Sequence, residues 1–328
     1  MNNNSAIRQH SFKYNFTVAS KSILRTLVLL GICFIMIYPV LYMIANSFMS
    51  VSDNYNPSVV WLPEKIDFQS YKLVMGYLDY FPALFRSFLI TVPCVLIQFI
   101  PLLMAGYGFA RFNFKFKKFL FGLLVFTIIV PAQTYIIPSY VNMSSFDFFG
   151  IGKLIGLFTG TDLTINLINT NYTFYLPALF GAGIRSGLNI YIICQFFKGL
   201  PKELEEAATI DGCNSSQVFF KIMIPNIIPA ITTVSVFSIV WYFNDYLLSG
   251  FYLNENMPVV ASFTMVKSIV DMASQSSGLV GITATDLKLL LNSIMCAGGL
   301  LVSIPLILMY LPAQRFFTEN IGKSGIVG

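Results

Sequence analysis

One histidine, His10, stands in 328 residues, and it lies in a polar N-terminal stretch. The five cysteines, Cys33, Cys94, Cys194, Cys213 and Cys296, are far apart and none has Cys-x-x-Cys spacing. With so few ligands and no paired thiols, neither a zinc site nor a disulfide framework is indicated. Charge is scarce as well: Asp, Glu, Lys and Arg make up 11% of the chain, less than half the roughly 25% of an ordinary soluble domain. No His-Glu-x-x-His or Gly-x-Ser-x-Gly occurs, and the carboxylates cluster in loops, so no catalytic constellation is present. Gly322-Lys323-Ser324 mimics the end of a phosphate-binding loop, but the first glycine of that loop would fall at Phe317, and no ATP site follows from it. The net charge of +5 comes from basic residues set between apolar runs, which makes no nucleic-acid patch.

What the chain has is apolar length: 56% hydrophobic residues and a mean hydropathy of +0.72. A water-soluble fold could not hide that much apolar surface, so the expected fold is an all-α polytopic membrane protein with six transmembrane helices. Residues 1–25 read as a cytoplasmic tail without periodicity. Residues 26–48 read as the first span, about 34 Å long at 1.5 Å per residue, where a cleaved signal peptide would have an apolar region of only ~7 to 15 residues. An external loop, 49–85, leads to a core domain, 86–315, holding spans at 88–110, 119–140, 174–197, 227–248 and 289–311. Residues 141–172 and 251–288 fall outside, the second with Ser274–Gly278 at its tip, and 198–225 and the tail 316–328 fall inside. Pro93, Pro101, Pro131 and Pro138 lie within spans, as they do where neighbouring helices or water take up freed carbonyls.

Basic residues orient this plan. Of the 20 Lys and Arg, six would lie outside (Lys65, Lys72, Arg86, Lys153, Lys267 and Lys288) and Arg185 within a span, leaving thirteen inside, with Arg111, Lys115, Lys117 and Lys118 the densest cluster. The positive-inside bias thus puts both termini and the 198–225 loop in the cytoplasm of a plasma-membrane protein.

That loop is the most informative stretch. Pro201 suits a first helical position, and Glu203, Glu205 and Glu206 complement the positive end of a helix dipole, so a helix is expected to begin near Pro201. Leu200, Leu204, Ala207, Ala208 and Asp211 follow helical spacing and make a narrow face of small side chains. Gly212 tolerates positive φ and ends this helix, after which Val218, Phe219, Ile222 and Met223 form a second apolar stripe that Pro225 stops. An interfacial helix lying in headgroups is the competing reading. Such helices favour Lys and Arg with Trp or Leu, whereas this one concentrates acid around alanine.

Glu206-Ala207-Ala208, three residues, Gly212, nine residues, then Ile222-x-Ile224-Pro225 resembles the EAA loop of ABC importer permeases, with Ile224 where that pattern has Leu. The surrounding Gly-Leu-Pro-Lys-Glu-Leu-Glu-Glu-Ala-Ala-x-Ile-Asp-Gly is similar to the carbohydrate-uptake branch, and within it to the maltose transporter's second permease. Tyr107-Gly-Phe-Ala-Arg111 resembles the family's Tyr-x-x-x-Arg exit from a core span. Trp241-Tyr-Phe-Asn244-Asp245 matches the usual Trp-Asn-Asp-like signature only partly, and the C-terminus lacks the Lys common there. The resemblance implies a type I permease fold, docking of the loop on an ATPase subunit through Leu204, Glu206, Ala207, Ala208, Asp211, Gly212, Ile222 and Pro225, and transport without catalysis by this chain. It implies a second homologous permease, two ABC ATPase subunits that hold the ATP and Mg, an extracytoplasmic sugar-binding protein and the bilayer as partners, with no cofactor on this chain. An ion-gradient-driven carrier or channel is the other class to weigh, but it would want paired intramembrane acids, and the spans offer only Asp245.

Four residues are candidates for the translocation path. Arg185 falls within the fourth expected span, where a charge costs about 2.5 to 3.5 kcal/mol on the insertion scale. It either faces the path or snorkels toward the outer surface. Asn189, one turn on, would share its face. Asn244 and Asp245 either bind a sugar or cap a helix end. Tyr107, Gln133 and Gln195 are weaker candidates.

Overall fold

The computed structural model describes residues 3–148, 150–160, 163–275 and 283–324. Among these, the regular elements are helical, beside a single antiparallel bridge between Phe146 and Ile165. In chain order they are α1 (Asn3–Ser47), α2 (Val51–Tyr55), α3 (Gln69–Leu78), α4 (Tyr80–Arg111), α5 (Lys117–Ile129), α6 (Ala132–Ser144), α7 (Ile151–Thr159), α8 (Tyr172–Leu179), α9 (Ser186–Gly199), α10 (Glu203–Ile210) and α11 (Ser215–Gln217). A π-helical turn (Val218–Met223) follows, then α12 (Ile224–Asn226), α13 (Ile228–Phe243), α14 (Leu247–Tyr252), α15 (Val259–Gln275) and α16 (Ala284–Ser324).

Three continuous stretches are long and apolar enough to cross a membrane: Ser20–Ser47 of α1, all of α4, and Thr285–Pro312 of α16. Two bent pairs bring the number to five, α5 with α6 at 102° and Ser215–Asn226 with α13 at 72°. The expectation of six spans is met only in part, because the apolar runs at 119–140, 174–197 and 227–248 are each divided. Pro131, which has no N–H to donate, separates α5 from α6. Between α8 and α9, Gly181 (φ +70°) and Arg185 (φ +57°) adopt the left-handed conformation that a right-handed helix cannot continue through.

One other expectation is corrected. The N-terminal stretch, read as irregular to residue 25, is helical from Asn3, since no proline or glycine precedes Gly31 to stop propagation from the apolar half of α1. The segment 251–288, expected to lie outside, contains the 17-residue helix α15, which buries Val259 and Val266 one heptad apart. Residues 276–278 of its expected tip lie outside the described residues, as does Asp162 of the other loop.

The chain forms two compact units, one of residues up to 73 with 270–300, the other of 74–269 with 301 onward. In the first, Asn292 of α16 donates to Tyr42 Oη and Asn46 Oδ1 on α1, both at 3.2 Å, and a capping box between Ser50 and Asp53 starts α2. From Ser20 to Tyr42 α1 is exposed and mostly apolar, Ile35 and Met36 at 72%, as a lipid-facing helix would be. In the second unit α4 is the spine. Gly106 lets α9 cross closely, since a Cβ there would come within 3.3 Å of the Cys194 backbone nitrogen. One core cluster gathers Ile90, Cys94, Phe174, Tyr242 and Tyr252; another gathers Leu102, Ile193, Phe197, Val218, Met223 and Ile227.

Candidate functional site

The second cluster is built by the 198–225 loop folding back as an elbow against the ends of α4 and α9. Its first arm, α10, begins at Glu203, two residues later than expected, because Leu200 and Pro201 remain outside the helix and Lys202 takes the N-cap position. No side chain caps this end; the three first-turn glutamates Glu203, Glu205 and Glu206 offset the helix dipole instead. At the other end Cys213 N–H reaches Ala208 O (2.9 Å) and Gly212 N–H reaches Thr209 O (3.0 Å), a Schellman cap that requires the positive φ of Gly212, +84°.

Asn214 and Gln217 then form a capping box, each side chain bonding the other's backbone N–H at 2.8 and 2.9 Å, and start the second arm. Pro225, expected to stop this arm, does not. It lacks the N–H that Lys221 O would accept, so the turn before it widens, Ile224 N–H bonding Phe219 O, and the helix runs on to Asn226. Asn226 Nδ2 takes up Ile222 O at 2.7 Å, and the bend into α13 follows at Ile227.

The elbow is held by an ion pair and two hydrogen bonds. Arg111, in the last turn of α4, pairs through Nε with Glu205 Oε1 and donates through Nη2 to Leu200 O at 2.8 Å. Tyr107, one turn earlier, donates to Glu205 Oε2 at 3.0 Å while its ring lies 5.3 Å from that of Phe197 and 5.0 Å from that of Phe219. The Arg111 side chain is only 8% exposed. A guanidinium is suited to this place because its planar fork serves a carboxylate and a carbonyl at once.

With Glu205 turned inward, the predicted docking face divides. Ala208 is 6% exposed and packs into the core, and Leu200 is half-buried, while Leu204, Glu206, Ala207 and Asp211 face out. The outward face of α10 is Glu203, Glu206, Ala207 and Ile210 at i, i+3, i+4 and i+7; Ile210, 86% exposed, was not singled out from the sequence, and Glu205 was expected only to offset the helix dipole. Three glutamates in four positions carry no mark of which one turns inward. The i, i+4 spacing of Tyr107 and Arg111 at the end of a span was the signal that a polar partner sits over them. Ile222 is half-buried and Pro225 exposed on the second arm.

Tyr107→Phe keeps the ring contacts and removes one donor to Glu205. It should cost about 1.5 kcal/mol, the low end for a bond to a charged group, since 23% of the Glu205 side chain remains exposed. Thermal unfolding of the purified protein, with a Tm lowered by no more than a few degrees, checks this.

At a different place three helix breaks meet around a cavity of about 660 Å³. The α5–α6 break contributes Pro131, Gln133 and Tyr135; the α8–α9 break contributes residues 181–187; the α13–α14 junction contributes Trp241, Asn244, Asp245 and Tyr246. Irregular backbone at membrane depth survives only where protein buries it or where it lines a wet cavity. Here the Tyr242 hydroxyl accepts from Ile184 N–H at 3.2 Å, and Asn244 N–H closes α13 on Val240 O at 3.0 Å.

Of the four expected path residues, three line this cavity. Arg185 is exposed in it, at the N-cap position of α9 rather than inside a continuous helix, because the left-handed turn breaks the helix there. Asn244 is exposed in it. Asp245 lines it but acts as a cap, its carboxylate accepting from Ser249 N–H (2.7 Å), Ser249 Oγ (2.8 Å) and Leu248 N–H (3.3 Å). Asn189 does not share the face of Arg185: it is fully buried and donates to Ser238 Oγ on α13 at 3.1 Å. Of the weaker candidates Gln133 lines the cavity, Tyr107 lies under the elbow, and Gln195 is exposed elsewhere on α9.

A helical membrane bundle with broken helices around a polar cavity, and a polar elbow clamped to its helix ends, is built as the membrane component of a transport system. Residues 97–318 match the model of the family described as binding-protein-dependent transport system inner membrane component, and the chain belongs to that family. It is a multi-pass ABC transporter permease subunit, not itself an ATPase. It is 27% identical over 302 residues to the polygalacturonan/rhamnogalacturonan transport system permease protein YtcP of Bacillus subtilis, covering 92% of this chain and 96% of that one. It is 24% identical over 304 residues to the maltodextrin transport system permease protein MalD of Streptococcus pneumoniae, covering 92% and 94%. Its fold is similar to that of a chain in the crystal structure of a bacterial ABC transporter involved in import of the acidic polysaccharide alginate, with a TM-score of 0.66, 21% identity, and coverage of 92% and 98%.

Proposed function

We propose that this chain is one of two homologous permeases in an importer that carries a sugar or oligosaccharide inward by alternating access. In this reading the divided apolar runs complete six spans of a type I permease, with both termini and the elbow in the cytoplasm. Two ATPase subunits, which hold the ATP and Mg, dock on the elbow, and an extracytoplasmic binding protein delivers the sugar. No cofactor sits on this chain. The names of the relatives support a carbohydrate.

The observation that carries the mechanism is the clamp of Tyr107 and Arg111 on Glu205. It makes α10 an extension of α4, so a push on the outward face of Glu203, Glu206, Ala207 and Ile210 is delivered to a helix that borders the bundle core. An apolar residue as open as Ile210 on a helix outside the spans is what a docked partner would cover. Reconstitution tests the proposal: proteoliposomes holding both permeases and the ATPase subunits should take up labelled oligosaccharide only with internal ATP and external binding protein. Uptake by this chain alone, driven by an ion gradient, would reject it.

A further inference from the structure

We infer that the saccharide passing the 660 Å³ cavity carries a carboxylate, as a uronic acid does, and that Arg185 is the group that reads it; this rests on the importer reading above. Arg185 and Asp245 are the charged residues lining the cavity. Their carboxylate and guanidinium do not pair. Asp245 has spent its lone pairs on Leu248 and Ser249 of its own turn, whereas no acceptor is bonded to the Arg185 guanidinium among the described residues. A free, exposed cation beside an acid that is already satisfied is a site awaiting an anion, because a charge near the membrane interior is costly without a counterion.

The backbone points the same way. Arg185 holds φ +57°, a conformation in which a side chain other than glycine, Asn or Asp is strained, and such strain persists where surrounding structure over-determines it at a functional position. The turn that imposes it places the guanidinium at the cavity wall rather than along α9. Around it, Tyr135, Trp241 and Tyr246 supply aromatic faces and Gln133 and Asn244 supply amides. A sugar ring needs the faces and amides. The planar fork adds what a neutral sugar does not use, bidentate recognition of a carboxylate.

The test is uptake by the complete importer in proteoliposomes, with its binding protein, of tri-galacturonate and of galactotriose, the same rings with and without carboxylates. Each sugar is scored as the ratio of variant to wild type, so the binding protein's own preference cancels. Arg185→Gln should lower the ratio for tri-galacturonate at least tenfold more than the ratio for galactotriose, and Arg185→Lys, which keeps charge without the fork, should recover part of it. Equal loss for both sugars would overturn the inference. Undiminished tri-galacturonate uptake by Arg185→Gln would also overturn it and leave the importer reading standing. A wild-type complex that moves neither saccharide with ATP would overturn the inference alone, since the importer reading is rejected only by uptake through this chain by itself on an ion gradient.

Discussion

Glu206→Lys should abolish ATP-driven uptake while leaving the subunit in the membrane and its stability within about 0.5 kcal/mol of wild type, because an exposed surface charge contributes little to the fold. Glu206 is open on the outward face of α10 and is not part of the clamp, so its reversal acts on whatever docks there and not on the elbow itself. Gly212→Val should reach the same loss by another route. No atom would meet a Cβ at Gly212, so the substitution introduces no clash. The φ of +84° is the obstacle, since a left-handed backbone costs an ordinary residue about 1 to 2 kcal/mol, and more when it is β-branched. Relieving it opens the Schellman cap and swings the second arm away from the first. Gly212→Asn, which tolerates the left-handed region, should keep most uptake. Uptake and copurification of the ATPase subunits, measured on all three variants, separate loss of docking from loss of elbow shape.

Arg111→Ala should be the most damaging single change to the elbow. Removing one partner of a buried ion pair costs about 3 to 5 kcal/mol, and partial exposure of Glu205 places this pair at the lower end. The change also orphans Leu200 O, at the junction where α9 gives way to the elbow. Arg111→Lys keeps the charge but cannot serve Glu205 and Leu200 together, so it should fall between wild type and Arg111→Ala. A cycle with Glu205→Gln checks the pairing. If the two residues act through each other, the double variant loses less than the sum of the singles, whereas strictly additive losses in chemical denaturation would deny the clamp.

The features legible in the sequence are those set by local chemistry. Apolar runs long enough for a bilayer, the positive φ demanded at Gly212 and the inward stripe of Val218 and Met223 all follow from residues within a turn or two of each other. What was not legible depends on tertiary partners. Hydropathy treats 174–197 as one span because its average ignores a single left-handed turn, and that turn moved Arg185 from a helix interior to a cavity wall. Asn189 follows Arg185 by four residues, but the register of α9 changes at its start, so helical spacing from Arg185 does not apply and the amide faces Ser238. Glu205 and Glu206 are adjacent and chemically alike. Their separation into one clamp residue and one surface residue is decided by Arg111, distant in sequence.

The claim that the elbow is a cytosolic handle for a separate motor can be tested with one labelling experiment. Ala207 is exposed at the centre of the outward face, so Ala207→Cys, in a chain whose five native cysteines are replaced by serine or alanine, reports access to that face. A membrane-impermeant maleimide should leave this cysteine unlabelled in intact cells, label it in inside-out vesicles stripped of the ATPase subunits, and lose access when those subunits are restored. Labelling from the outer face of intact cells, or unchanged labelling in the presence of the ATPase subunits, would contradict the account.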